Sequence, residues 1–349
     1  MKAYKLSALI FLIGVISLTS CKDKKQKGAA KESAKTTETL QQPTKKNPLP
    51  SWNDTKSKQR IMSFVEAVTT EGSDYIPPED RIATFDNDGT LWSEQPTYFQ
   101  VEFIFYRIKK MAPKHPEWKK NKLMQTAINQ DLKKLREKYG ARGLGQLMGI
   151  AMSGITTDEL NSLVKSWMKY ARHPITGKPY SKMTFEPMLE LIKYLQANDF
   201  KVFIVTGGGI DFMRAWAPEV YGVQPENIIG SYSHLNYEIK SGKPVLIKDA
   251  KILIVNDGPE KAKNIHRFIG KKPVIAFGNS DGDIQMLEWC SANKYKNLSA
   301  FVHHTDAKRE WAYDRKSRIG TLNAGLDEAV KKDWLIVNMK KDWKVVHPE

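Results

Sequence analysis

Arg81-Ile82-Ala83-Thr84-Phe85-Asp86-Asn87-Asp88-Gly89-Thr90-Leu91-Trp92 is the stretch that decides the fold. A short apolar run, strand-like in length and flanks, ends in two aspartates spaced i, i+2 and then a glycine turn. In an extended segment, residues i and i+2 point the same way. Both carboxylates are therefore expected to face one spot just beyond the strand's C-terminal end, where open α/β sheets bind their ligands. Taken alone, the same residues also suit an ordinary Asp-Gly turn closing a strand. Two acids aimed at one point repel each other, so a catalytic reading requires a cation between them.

Three further stretches follow in order. Lys201 to Gly209 is a second apolar strand ending in Thr206 and the run Gly207-Gly208-Gly209. Lys251-Ile252-Leu253-Ile254-Val255-Asn256-Asp257-Gly258-Pro259-Glu260-Lys261 is a third strand that leads through a turn to a lysine. Pro273 to Asp283 is a fourth strand, opening on the acidic loop Asn279-Ser280-Asp281-Gly282-Asp283. Each of these strands carries its chemistry at its C-terminal end. DxDGT with the three ordered partners closely resembles the haloacid dehalogenase superfamily of phosphotransferases, from about Ile82 to Lys308.

The resemblance implies a doubly wound, Rossmann-like parallel α/β core with an inserted helical cap, and a role for each residue. Asp86 would attack phosphorus and form an aspartyl-phosphate. Asp88 would protonate the leaving alkoxide and then deprotonate the hydrolytic water. A phosphate dianion facing these acids needs compensation, because each like-charge pair at 4 Å costs about 4 kcal/mol at an effective dielectric of 20. Lys261 would supply one cation and Mg²⁺ the other, with Asp86, Asp88, Asn279 and Asp283 as the metal residues. Thr206 and the backbone N–H groups of Gly207 and Gly208 would cradle the non-bridging oxygens. Trp92, Glu94 and Gln95 stand where relatives have a mobile flap, so Glu94 is a candidate for substrate contact, with solvent exposure as the alternative.

The fourth stretch departs from the superfamily pattern. Phosphoserine phosphatases read Gly-Asp where this chain has Gly278-Asn279, and a neutral amide oxygen binds Mg²⁺ more weakly than a carboxylate. Asp281, two residues on, offers compensation, while Asp281 and Asp283 also suit the cap of a following helix. The function expected is Mg²⁺-dependent hydrolysis of a small organic phosphomonoester. Alternatives are phosphoryl transfer to a non-water acceptor, as in phosphomutases, or a catalytically weak lipid-anchored binding protein. Dehalogenation is disfavoured, because those relatives lack the second aspartate.

Composition agrees with an enzyme. Hydrophobic content of 41% and charged content of 27% in 349 residues are those of a globular protein with an ample core. Residues 1–50 hold ten lysines and three acids, leaving +9 of the net +16 for the rest. The basic residues are scattered and no nucleic-acid motif is present, so nucleic acid is not an expected partner. A basic surface suits anionic substrates.

The N-terminus reads as an address. Basic Met1-Lys2-Ala3-Tyr4-Lys5 precedes an apolar run from Leu6 to Leu18 and then Leu18-Thr19-Ser20-Cys21, which resembles a bacterial lipobox. Residues 1–20 are thus expected as a signal peptide, Cys21 as the lipidated residue, and 21–50 as a disordered tether. The location expected is the bacterial cell envelope, lipid-anchored and facing the periplasm or exterior. Cys290 is the only other cysteine and is expected to be a buried small hydrophobe.

The catalytic core is expected over 51–94 and 184–349, with the cap over 95–183. Ile61, Phe64, Val65 and Val68 mark a helix before the first strand. Cap helices are expected over Tyr98–Met111, Trp118–Tyr139 and Thr157–Tyr170, with Thr156 as the start signal of the last. The glycine-rich segment around Arg142 is expected as a helix–helix turn. Glu186 to Asn198 should return the chain to the core, and Leu298 to Val302 should form a strand followed by His303 and His304, which are expected at most to support the site indirectly.

Overall fold

The computed structural model describes residues 47–349, so the signal peptide, Cys21 and nearly all of the tether lie outside the described residues. Seven strands form one sheet in the order β4-β3-β2-β1-β5-β6-β7. They are β1 (Ile82–Phe85), β2 (Lys201–Gly209), β3 (Ile228–Lys240), β4 (Lys243–Ile254), β5 (Ile275–Gly278), β6 (Leu298–His303) and β7 (Leu335–Asn338). All neighbours pair in parallel except β3 and β4. This is the expected Rossmann-like α/β core, with β1 at the centre and the chain winding outward on both sides.

The apolar runs of β1 and β2 are buried because helices cover both faces. Side chains alternate between two cores: Ala83, Phe85, Val202 and Ile204 join Ile61, Val65, Leu191 and Leu195 on one face. Ile82, Phe203 and Val205 join Ile265, Met286 and Leu287 on the other. The first group of partners comes from helices Lys56–Thr69 and Glu186–Gln196, the second from Pro259–Ile269 and Ile284–Ser291. Reversal of the winding at β1 opens a crevice at the strands' C-terminal ends, which is where Asp86 emerges.

Three sequence expectations are corrected. The third strand is no buried parallel strand: Lys251–Ile254 is the end of β4, an antiparallel edge strand, and Leu253 and Val255 are exposed. Strands β3 and β4 outrun the sheet as a two-stranded ribbon turning at Ser241 (φ 50°) and Gly242 (φ 76°). Two successive positive φ values match the twist that tight hairpins require. The expected helix Trp118–Tyr139 is broken, because Asn121 caps a short helix Lys122–Ile128 and Gln130 then turns with φ 55°.

The third correction concerns the glycine-rich segment, which is a helix, Gly140–Met152, rather than a turn. Gly149 serves packing against β4, since a Cβ there would lie 2.3 Å from the Ala250 carbonyl oxygen. The following residues cover the free edge of β4: Gly154 N–H donates to Lys248 O at 2.9 Å and Lys248 N–H to Ile155 O at 3.0 Å. Helix Thr157–Tyr170 then starts on the reciprocal Thr156–Glu159 cap, as expected. Helices Phe99–Met111 and Gly140–Met152 thus roof the crevice from segments inserted between β1 and β2.

Candidate active site

Asp86 is the residue after β1, and its carboxylate is held from one side. Lys261 Nζ donates to Asp86 Oδ1 at 2.5 Å and to Asp283 Oδ1 at 2.5 Å. All three side chains are buried. Burial by itself would depress the lysine, but Asp283 and Asp86 outweigh it and hold Lys261 protonated. Asp86 Oδ2 has no hydrogen-bond partner among the described residues, and Asp86 lines a cavity of about 330 Å³.

Asp88 lines the same cavity, on the side of Gly207 and Gly208. Its Oδ1 accepts from Trp92 Nε1 at 2.8 Å, which fixes the carboxylate and explains the tryptophan. Burial raises its pKa, as a general acid needs. From Asn87 onward the chain turns sharply, with Leu91 N–H donating to Asn87 O at 2.8 Å. Gly89 sits in that turn at φ 79°, and a Cβ there would stand 2.0 Å from Asn279 Nδ2, so only glycine fits.

Thr206 and the glycines leave the ladder between β2 and β3, where the register shifts. Thr206 is fully buried; its Oγ1 accepts from Gly208 N–H at 3.0 Å, and its carbonyl accepts from Asn256 Nδ2 at 3.0 Å. Asn256 is itself oriented by Asn264 Nδ2, which donates to Asn256 Oδ1 at 2.8 Å. Ser231 Oγ donates to Gly207 O at 2.7 Å. The Thr206–Gly208 segment is thus braced from β3 and from the residue just before the Asp257 turn.

The acidic loop is assigned side chain by side chain. Asp283 Oδ2 accepts the backbone N–H groups of Asn279 at 3.0 Å and Ser280 at 3.1 Å. With Lys261 on its other oxygen, Asp283 anchors the loop and the lysine rather than facing the cavity. Asp281 accepts from the backbone of Asn323, Ala324 and Gly325, capping the start of helix Ala324–Lys331, and therefore cannot stand in for a missing ligand. Asn279 Nδ2 donates to Glu94 Oε1 at 2.7 Å, and its Oδ1 accepts from Thr90 Oγ1 at 3.2 Å.

Glu94 is buried, against the alternative of solvent exposure. Tyr313 OH also donates to its Oε1, at 2.7 Å. Burial first, and then the Asp88 and Asp86 carboxylates, push its pKa well up. Asp86 is likewise pushed well up, by burial and by Asp283, against the pull of Lys261. Four carboxylates, Asp86, Asp88, Glu94 and Asp283, therefore crowd a site where, among the described residues, Lys261 is the one cation in contact.

A family model for haloacid dehalogenase-like hydrolases matches residues 83–288, the span that carries every one of these side chains except Tyr313. The chain belongs to the haloacid dehalogenase-like hydrolases. No curated protein matches it in sequence. Among solved structures, a conserved protein of unknown function from Anaerococcus prevotii shares the fold at 16% identity and a TM-score of 0.50, over 74% of this chain and 88% of that one. A probable phosphoserine phosphatase from Vibrio cholerae matches at 15% identity, over 74% and 69%, with a TM-score of 0.36. A phosphoserine phosphohydrolase-like protein from Francisella tularensis matches at 17%, over 64% and 87%, with a TM-score of 0.37.

The charge shortage in this hydrolase fits a divalent cation, because burying several carboxylates around one lysine is costly without further positive charge. Among the described residues no three His, Cys, Asp or Glu side chains form a ready metal cluster. The donors present are instead the cavity-facing acids Asp86 and Asp88 with the amide oxygen of Asn279. Tyr221, Tyr313 and Glu310 have no counterpart among the sequence expectations, whereas His304 supports the site indirectly, the most that the sequence leads one to expect of it. His304 Nε2 lies 2.7 Å from Gly89 O and its Nδ1 3.1 Å from Glu310 Oε2, bracing the turn that follows Asp86. Tyr221 OH donates to Asn87 Oδ1 at 2.9 Å. His303-His304 is the only one of these signals visible in the sequence; Tyr221 and Tyr313 carry none.

Proposed function

We propose that this hydrolase is a Mg²⁺-dependent phosphomonoesterase that acts on small organic phosphates through an aspartyl-phosphate on Asp86. One observation carries the reading: Lys261 holds Asp86 by Oδ1, Oδ2 has no partner among the described residues, and Asp86 lines a cavity with Asp88, Gly207 and Gly208. Asp86 Oδ2 attacks phosphorus, and the bond to the leaving oxygen breaks as Asp88 delivers its proton there. Asp88, now a carboxylate, takes a proton from the water that attacks phosphorus and frees Asp86. The Gly207 amide and the Thr206 hydroxyl, which accepts from Gly208 N–H, stabilise the equatorial oxygens. Mg²⁺, held by Asp86, Asp88 and Asn279, would neutralise and orient the phosphoryl group. Asp283 contributes through Lys261. The apolar roof and a cavity of about 330 Å³ support a small substrate.

The test compares wild type and Asp86→Asn on p-nitrophenyl phosphate and a simple alkyl phosphate, with Mg²⁺ and with EDTA. Hydrolysis should stop with EDTA and return with Mg²⁺, and Asp86→Asn should lose on the order of 10³-fold or more with an unchanged melting curve. A folded Asp86→Asn that keeps a tenth of the rate refutes the nucleophile. Lipid anchoring at Cys21 belongs to the same proposal, supported by Leu18-Thr19-Ser20-Cys21, and would hold the enzyme at the cell envelope. Acyl labelling of wild type but not of Cys21→Ser checks it.

A further inference from the structure

A second cavity, of about 660 Å³, adjoins the catalytic one and shares Tyr98, Val101, Ala141 and Leu144 with it as a common wall. Its lining also holds the guanidinium groups of Arg136 and Arg318 and the carboxylate of Glu137. Arg136 is half-buried and donates to the carbonyl of Pro96; among the described residues it makes no ion pair. Arg318 is exposed, with Glu137 its nearest acid at 3.8 Å. Burial and then the charge of Arg318 lower the pKa of Arg136; Glu137 pairs with Arg318, so Arg136 is the cation in this cavity left without a carboxylate among the described residues. A half-buried guanidinium without a carboxylate partner, beside an apolar passage, costs free energy unless an anion joins it.

We propose that this second cavity receives a second anionic group of the substrate, a carboxylate or phosphate, tied to the scissile phosphate by a short apolar spacer lying along Tyr98, Val101 and Leu144. The inference rests on the phosphomonoesterase reading and narrows its substrate class to doubly anionic esters. Guanidinium suits the role because it pairs with either anion through two parallel hydrogen bonds. The apolar wall gives the spacer a surface on which polar linkers would lose hydration.

The experiment uses ω-carboxyalkyl phosphates of two to six methylenes and their isosteric ω-carbamoylalkyl phosphates, with the wild-type chain and Mg²⁺. Wild type should favour the acid in kcat/KM by about tenfold or more at the best length, a typical return for a charge-assisted pair. Arg136→Gln and Arg318→Glu should each pull that ratio toward one; Arg318 is exposed, so its variant changes charge without disturbing packing. A ratio near one in wild type, or one unmoved in both variants, overturns the proposal. Binding of the matching carboxy- and carbamoyl-alkylphosphonates, measured by calorimetry, separates the two levels of inference. If neither ester is hydrolysed but the carboxyphosphonate binds preferentially and the variants abolish that preference, the phosphatase reading falls and the anion site stands. Equal binding of both phosphonates sinks the anion site.

Discussion

The floor and the roof of the catalytic cavity are built by opposite means. On the floor, Asp86, Lys261, Asp283, Asn279 and Glu94 form a chain of contacts from 2.5 to 3.0 Å, each link charged or charge-assisted. The roof is Val101, Ile104, Leu144 and Met148, with one polar strut in which Gly209 N–H donates to Gln100 Oε1 at 2.8 Å. Directional bonds between buried charges fix positions closely but fail badly when one partner is removed. Apolar packing tolerates exchange at much lower cost. Chemistry therefore belongs to the floor and selectivity to the roof, and the two should respond differently to substitution.

The largest difference should come from Lys261→Met set against Leu144→Ala. Removing Lys261 strands two buried carboxylates, so stability should fall by about 3–5 kcal/mol and the rate by roughly 10²-fold or more. Leu144 is half-buried at the cavity edge, and its truncation should cost on the order of 1 kcal/mol while shifting KM more than kcat. Urea melts and steady-state kinetics on both variants decide it. Equal stability losses would break the distinction between floor and roof.

Within the floor, the departure at Asn279 can be sharpened. A carboxylate at this position would face Glu94 across the present 2.7 Å contact, and two acids so close cannot both ionise. Asn279→Asp alone should therefore lower kcat/KM, by about tenfold, rather than improve the metal site. Exchanging the pair, Glu94→Gln with Asn279→Asp, should recover part of the loss, giving a coupling of about 1–3 kcal/mol in a double-mutant cycle. Additive effects, or an Asn279→Asp enzyme that needs less Mg²⁺ at full activity, would show that Glu94 does not dictate the amide.

What is legible in the sequence follows one rule. Side chains placed by short local geometry can be located from it: Asp86 and Asp88 by their i, i+2 spacing, Thr206 and the glycines by their position after a strand, Lys261 by its turn. The structure brings Asp86, Asp88, Gly207, Gly208 and Lys261 to one crevice, with Thr206 fully buried beside it. Cys290 is buried as expected, its thiol pushed up to about 12 by that burial. Partners fixed by the long return of the chain are illegible. Tyr313 reaches Glu94 across 219 positions and His304 reaches Gly89 across 215, and no periodicity records either contact. The third strand misleads because an apolar run in an exposed antiparallel ribbon looks like one buried on both faces. Asp281 misleads because its backbone partners, Asn323 to Gly325, belong to a helix more than forty residues away.

The glycine-rich helix, whose composition suggests a turn, supplies the smallest and most discriminating test of the roof. Glycine costs a helix interior roughly 0.5–1 kcal/mol against alanine, so replacing it stabilises wherever a methyl fits. At Gly145 the new Cβ would meet only Ile252 Cδ1, at 3.8 Å, an ordinary contact. Gly145→Ala should therefore raise stability by about 0.5 kcal/mol. At Gly149, one turn on along the same helix, the Cβ would press on the Ala250 carbonyl oxygen at 2.3 Å, and backbone cannot swing aside as a side chain can. Overpacking of this kind costs about 1–3 kcal/mol, which exceeds the propensity gain. Gly149→Ala should thus destabilise and loosen the helix from β4, raising KM for small substrates as the roof lifts. Thermal melts of the two variants separate the cases by the sign of the change in Tm. Stabilisation in both would mean that the roof helix is free to shift on the ribbon, and that close packing against β4 does not set the height of the cavity.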